Sequence, residues 1–200
     1  MRTTAKPLWG VVFASAVLLA VSGGSRVVHG QAEHVRWDIV SLDFTTTPAT
    51  ASAGGVAFAS ARNPNTLKIK LTGSGTFVSP ASGAPTGAVT GGGKWETFNG
   101  AVSTGKGTYV VTRLASWEFA SLQTPGVIDT IGSNAVNGNA VLRIQYSDGS
   151  KGTLGIGCHG PGAPPGIVEG IIATKDFVTY WDAEAPSPGV DKNRTGFHIE

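Results

Sequence analysis

The stretch of this chain with the most chemistry in it is Gly157-Cys158-His159-Gly160-Pro161-Gly162-Ala163-Pro164-Pro165-Gly166. A thiol beside an imidazole can form a thiolate nucleophile or supply two metal ligands, and the glycines would let a substrate approach closely. Side-chain alternation argues for a plainer role. Carrying the parity of Leu154 and Ile156 forward puts Cys158 on the core side of a strand and His159 outside, unless Gly157 is a bulge. A cysteine on the core side behaves as a small inert hydrophobe.

Glu169 is the carboxylate of most interest. It shares parity with Ile167 and Ile171 in the segment Gly166 to Ala173, which is apolar on both faces and reads as a central strand. A carboxyl group buried there would have a raised pKa and could donate or accept a proton. Paired with Arg113 or Arg143, or placed at a wet strand end, it would be structural only. Arg113 lies on the parity of Tyr109, Val111, Ala115, Trp117 and Phe119. An inward Arg113 and an inward Glu169 would form a polar island inside a barrel, a feature that lines binding cavities.

Other chemistries find little support. Beyond residue 30 the nitrogen and sulfur donors are His34, His159, His198 and Cys158, none at ligand spacing, so no metal is expected. No Gly-x-Ser-x-Gly elbow, phosphate loop, His-Glu-x-x-His helix or calcium loop occurs, so no cofactor is expected either. Asn193-Arg194-Thr195 satisfies a glycosylation sequon, which matters only in a eukaryotic secretory host. The aromatic residues, with Trp95, Tyr109 and Trp117 the candidate ligand contacts, would stack on sugars if exposed or line an apolar cavity if enclosed. Core packing is their plainer use.

The elements that must position these groups are strands. Leu67, Ile69 and Leu71 alternate with Lys68, Lys70 and Thr72, the period of a strand with one buried face. A Gly-x-Gly, polar, aromatic motif recurs at Gly73-Ser74-Gly75-Thr76-Phe77, Gly91-Gly92-Gly93-Lys94-Trp95 and Gly105-Lys106-Gly107-Thr108-Tyr109. Glycines two apart on one face permit sharp coiling, and the aromatic that follows could cover the space they leave. Strands so built curl toward a barrel or a strongly bent sandwich; Gly-rich turns entering strands are the bland alternative.

The segment Ala140 to Ile156 reads as a hairpin, and parity selects its loop. A two-residue Asp148-Gly149 turn mixes apolar with polar partners. A three-residue Ser147-Asp148-Gly149 loop pairs Leu142 with Leu154, Ala140 with Ile156 and Arg143 with Thr153, with Gly149 in the left-handed region. Near the start, Val35, Trp37 and Ile39 share one parity and Val40, Leu42 and Phe44 the other, which a bulge near Ile39 would reconcile. Phe177 to Trp181 and Thr195 to Ile199 are further short segments, and Ser79 to Gly92, His159 to Pro165 and Ala183 to Asn193 are loops by composition.

Arg2 and Lys6 precede an apolar run from Leu8 to Val21 and then small residues, the pattern of a secretory leader cleaved after Gly30, or alternatively after Ala32. Removing residues 1–30 takes Arg2, Lys6 and Arg26 from the 15 basic residues and none from the 13 acidic ones, leaving 12 against 13 and a net charge of −1. A near-neutral exported chain without a basic patch has no footprint for nucleic acid. About 170 residues suffice to bury a core without cross-links, and with one cysteine no internal disulfide can form.

The expectation is one secreted all-β domain over residues 31–200, an antiparallel barrel or strongly bent sandwich of about 8–10 strands. Its expected role is non-catalytic binding of a small apolar ligand, a glycan or a protein. The alternative is an isomerase- or cyclase-like barrel enzyme using a buried acid and an arginine. Stable membrane insertion is not expected: a membrane barrel alternates apolar and polar faces, unlike Gly166 to Ala173.

Overall fold

Period-two alternation carries through the chain in the computed structural model, which describes residues 33–79 and 87–200. The leader with its cleavage positions, and residues 80–86 of the Ser79 to Gly92 loop, lie outside the described residues. None of the described residues is helical. Fourteen strands follow one another: β1 (Glu33–Asp43), β2 (Thr50–Ala53), β3 (Ala57–Ser60), β4 (Leu67–Leu71), β5 (Ser74–Ser79), β6 (Gly92–Asn99), β7 (Val102–Leu122), β8 (Ile128–Asp129), β9 (Ala135–Tyr146), β10 (Lys151–Cys158), β11 (Gly170–Lys175), β12 (Val178–Tyr180), β13 (Asp182–Ala183) and β14 (Arg194–Ile199).

Six of them close an antiparallel barrel in the order β9-β14-β1-β5-β6-β7, with β7 returning to β9. The other eight extend it, so the strands outnumber the 8–10 expected while the class holds. β10, β11 and β12 continue from β9, and β4, β3 and β13 continue from β6. β2 pairs with β1 and holds β8 in a parallel pair. The barrel forks at β9, one edge of which carries β7 while the other passes from β14 at Ala135 and Val136 to β10 at Gly138 to Gln145. Asn137, fully buried at the fork, accepts the Gly160 N–H through Oδ1 (2.8 Å) and donates to Ser121 Oγ (3.0 Å). A single apolar cluster fills the interior, running from Trp37, Phe77, Trp117 and Phe197 to Leu142, Leu154 and Ile171.

The repeated glycines make the closure possible. Trp95 pairs with Gly107 on the neighbouring strand, where an added Cβ would come within 2.9 Å of the indole Nε1; one at Gly105 would lie 3.3 Å from the ring. The aromatic nearest these glycines is thus the neighbouring strand's rather than the motif's own. At the corner where β5 meets β6 through the single pair Ser74 and Gly92, the backbones approach so closely that a Cβ on Gly93 would overlap the Thr72 carbonyl. The hairpin of β9 and β10 has the register expected, with Leu142 opposite Leu154 and Arg143 opposite Thr153. Gly149 has φ 91° and donates to the Tyr146 carbonyl at 3.0 Å.

Three expectations fail. β7 shifts register between Val111 and Arg113, between Leu114 and Ser116, and between Phe119 and Ser121. Each shift resets the parity, so Leu114 and Trp117 face the core and Arg113 is exposed. The expected central strand Gly166 to Ala173 begins only at Gly170; Gly166 and Gly170 have φ of 102° and 109°, which breaks the extended run. Val168 is 65% exposed and Ile172 39%, so the segment does not bury both faces and does not distinguish the chain from a membrane barrel. β1 shows no register shift at Ile39. Ile39 and Val40 are both buried because each face of β1 is covered there.

A candidate ligand cavity on the outer face of β14

Alternation along β14 sends Thr195 and Phe197 toward the core and Arg194, Gly196 and His198 to the opposite face, where their β1 partners are Val40, Asp38 and Arg36. That face is covered by the segment from Gln123 to Ala135, which contains β8. The Ile128 N–H donates to the Ala49 carbonyl (2.9 Å) and the Thr130 N–H to that of Ala51 (3.1 Å), tying the cover to β2 and its approach. Between cover and sheet lies a cavity of about 230 Å³. Its walls are largely apolar, including Val40, Leu42, Val127, Ile131 and Phe197, with Gly196 among them; the polar lining is Gln123, Asp129, Cys158, His159, Glu169, Arg194, Thr195 and His198.

His198 is 2% exposed, and its Nε2 lies 2.8 Å from Asp129 Oδ2. The other Asp129 oxygen accepts the Ile131 N–H at 2.9 Å. A carboxylate only accepts, so the ring carries a proton on Nε2, and the buried Nδ1 has no protein partner. Arg194 donates through Nη2 to the Ser187 carbonyl (3.3 Å), and its guanidinium lies over the Phe44 ring at 5.9 Å. Its Nε is buried without a partner.

Glu169 stands just before β11, where β10 and β14 part. Backbone amides at such a divergence lack ladder partners, and the carboxylate accepts two of them, from His159 and from Thr195 (2.7 Å). Burial pushes the Glu169 carboxyl up from the ordinary value; the two N–H bonds and the nearby Arg194 act against that shift. Cys158 is buried as alternation predicts, donates to the Thr195 carbonyl (3.3 Å) and accepts from Gln123 Nε2 (3.2 Å). Burial, with the Glu169 charge added, pushes its thiol far up, the opposite of an activated nucleophile. The exposed His159 places Nδ1 2.9 Å from the Ile167 carbonyl.

Of the residues singled out in the sequence, Glu169, Cys158 and His159 therefore line one cavity, and Arg113 does not reach it. The arginine near Glu169 is Arg194. Trp95, Tyr109 and Trp117 are buried away from the cavity. Trp117 packs on Phe197 (centroids 4.7 Å), while Trp95 and Tyr109 pack on Tyr146 (5.7 and 6.3 Å). No three His, Cys, Asp or Glu side chains converge as metal ligands among the described residues. Nothing in the sequence marks Asp129 or Arg194 as site residues, and His198 stands there only as one of four scattered metal donors. Alternation beside Phe197 sends His198 to the outer face, so nothing in its own strand signals its burial, and Asp129 is 69 residues away.

No family model, curated protein or solved structure matches the chain.

Proposed function

We propose that this protein is an exported β-barrel module that binds a small, mainly apolar ligand in the cavity between β14 and the Gln123 to Ala135 segment, without chemistry on it. The carrying observation is a largely apolar cavity whose lining includes His198 and Arg194, each with one buried nitrogen, Nδ1 and Nε, that no protein group satisfies. Each orphan costs about 1–3 kcal/mol unless something bonds it. At about 230 Å³ the space exceeds the roughly 150 Å³ that accepts benzene and falls short of the roughly 300 Å³ at which drug-sized pockets begin. The deactivated Cys158 and the amide-bonded Glu169 support binding over catalysis. Burial of Trp95, Tyr109 and Trp117 counts against a glycan platform.

Export rests on the leader pattern, and the near-neutral charge beyond it argues against nucleic acid. No helix among the described residues is long and apolar enough to cross a membrane. Insertion as a barrel is disfavoured by an interior filled with apolar side chains and by outward charges such as Arg113 and Arg143, the inverse of a membrane barrel. Amide chemical shifts of the exported protein titrated with indole, benzene and cyclohexanol test the reading. Shifts confined to Asp129, Gly196 and their neighbours are expected, and shifts absent or lying elsewhere would overturn it.

One observation favours the enzyme reading: Glu169, its pKa raised by burial, lines the same cavity as Arg194. An acid-dependent isomerase or cyclase would use that pair rather than Glu169 with Arg113. It predicts turnover that Glu169→Gln abolishes while ligand binding persists.

A further inference from the structure

We infer that the cavity selects a neutral ligand whose compact apolar body carries a hydrogen-bond acceptor at one end, for Arg194 Nε, and a donor at the other, for His198 Nδ1. This rests on the small-ligand reading above and adds the polarity of the ligand to it. The two orphan atoms differ in kind. The Nε of Arg194 is an N–H in every accessible state and needs an acceptor. In the neutral ring His198 Nδ1 presents a lone pair, because Asp129 holds the single ring proton on Nε2, and it needs a donor. The ring cannot turn over without giving up Asp129; it lies beside Gly132, where an added Cβ would be 3.2 Å from it.

Placement supports a single ligand meeting both. Arg194 and His198 are four residues apart on the same face of β14, about 13 Å along the strand, with Gly196 between them. The His198 Cε1 reaches back to within 3.7 Å of where a Gly196 Cβ would stand. The gap left by the missing side chain therefore separates the two polar groups, and an apolar body lying over Gly196 would have one at each end.

The charge around the gap excludes the alternatives. An anion offers only acceptors, leaving the Nδ1 lone pair opposed by another, and it would meet Asp129 and Glu169 in the same cavity. A cation offers only donors and leaves the Arg194 N–H unpaired. A neutral molecule with a hydroxyl or amide N–H opposite a carbonyl satisfies both.

The test compares dissociation constants from NMR titration of the exported protein with four aromatic probes of similar size. They are 4-hydroxyacetophenone, 4-methylacetophenone, 4-ethylphenol and 4-methylbenzoate. The first should bind at least about tenfold more tightly than each of the others, the cost of one mismatched buried polar group. His198→Phe should erase its advantage over 4-methylacetophenone, and Arg194→Met its advantage over 4-ethylphenol. Should His198→Phe fail to fold, Arg194→Met, whose side chain is only partly buried, carries the test. Binding of all four probes within about threefold would overturn the inference while leaving the small-ligand reading intact. Preference for 4-methylbenzoate would likewise overturn it. Binding of none would remove both.

Discussion

Glu169 shows how one side chain can be both structural and adjacent to a site. Its carboxylate replaces the ladder partners that His159 and Thr195 lose where β10 and β14 part. Gln at this position supplies one acceptor and sets an NH2 against the second N–H, so Glu169→Gln should lose about 1–3 kcal/mol at neutral pH. The pH dependence has a definite sign. Burial raises the native pKa above the ordinary 4.5, so the folded protein holds this proton more tightly than the unfolded chain does. The stabilisation from that proton is complete below 4.5 and is lost as pH rises through the native value. Urea midpoints across this window should therefore fall with rising pH more steeply for the wild type than for Glu169→Gln; parallel profiles would refute the buried acid. Cys158 gives a simpler outcome. Its thiol should resist Ellman's reagent in the native protein at neutral pH and react fully in guanidinium, and rapid native labelling would contradict its burial.

Among the elements, the β9–β10 hairpin was readable because only one register separates apolar from polar partners across it. β7 was not. A bulge adds a residue without any marker in residue type, and the first of three along 21 residues, between Val111 and Arg113, carries Arg113 to the outside of a strand whose parity points inward. The segment before β11 failed similarly, since Gly166 and Gly170 leave no sign in the apolar pattern that the chain turns there. Glycines of two kinds allow a direct test. Gly149 sits at φ 91° with open space around it, so Gly149→Ala should cost about 1–2 kcal/mol from backbone strain and leave the fold unchanged. Gly93→Ala would drive a Cβ into the Thr72 carbonyl at the barrel corner and should prevent native folding. Circular dichroism and thermal melts of the two variants check this, and comparable melting would show that the corner is looser than described.

For the whole molecule, closure of the barrel and the cover over β14 together create the cavity. Gly196 has no positive φ and an added Cβ would stand 3.3 Å from Val40 Cγ1, so a larger side chain there meets only a slight adjustment before entering the cavity. Gly196→Leu should keep the fold and block the ligand. A bound probe at 100 times its dissociation constant should stabilise the wild type by about 2.7 kcal/mol and leave Gly196→Leu unaffected. Equal stabilisation of both proteins, measured by denaturant titration, would place the ligand elsewhere.

What the residues alone determined is local. Alternation with a period of two sets strand content and the buried face of each hairpin, the Gly-x-Gly motifs mark where strands can coil, and burial of Cys158 follows from the parity of its own strand. What the tertiary structure decided is which strands meet. Pairing of β7 with β9, the fork that leaves two amides for Glu169, and the meeting of Asp129 with His198 depend on contacts between distant segments and on bulges that shift the pairing. The side-chain pattern records which face is buried, but not what lies against it, and the cavity is made of the latter.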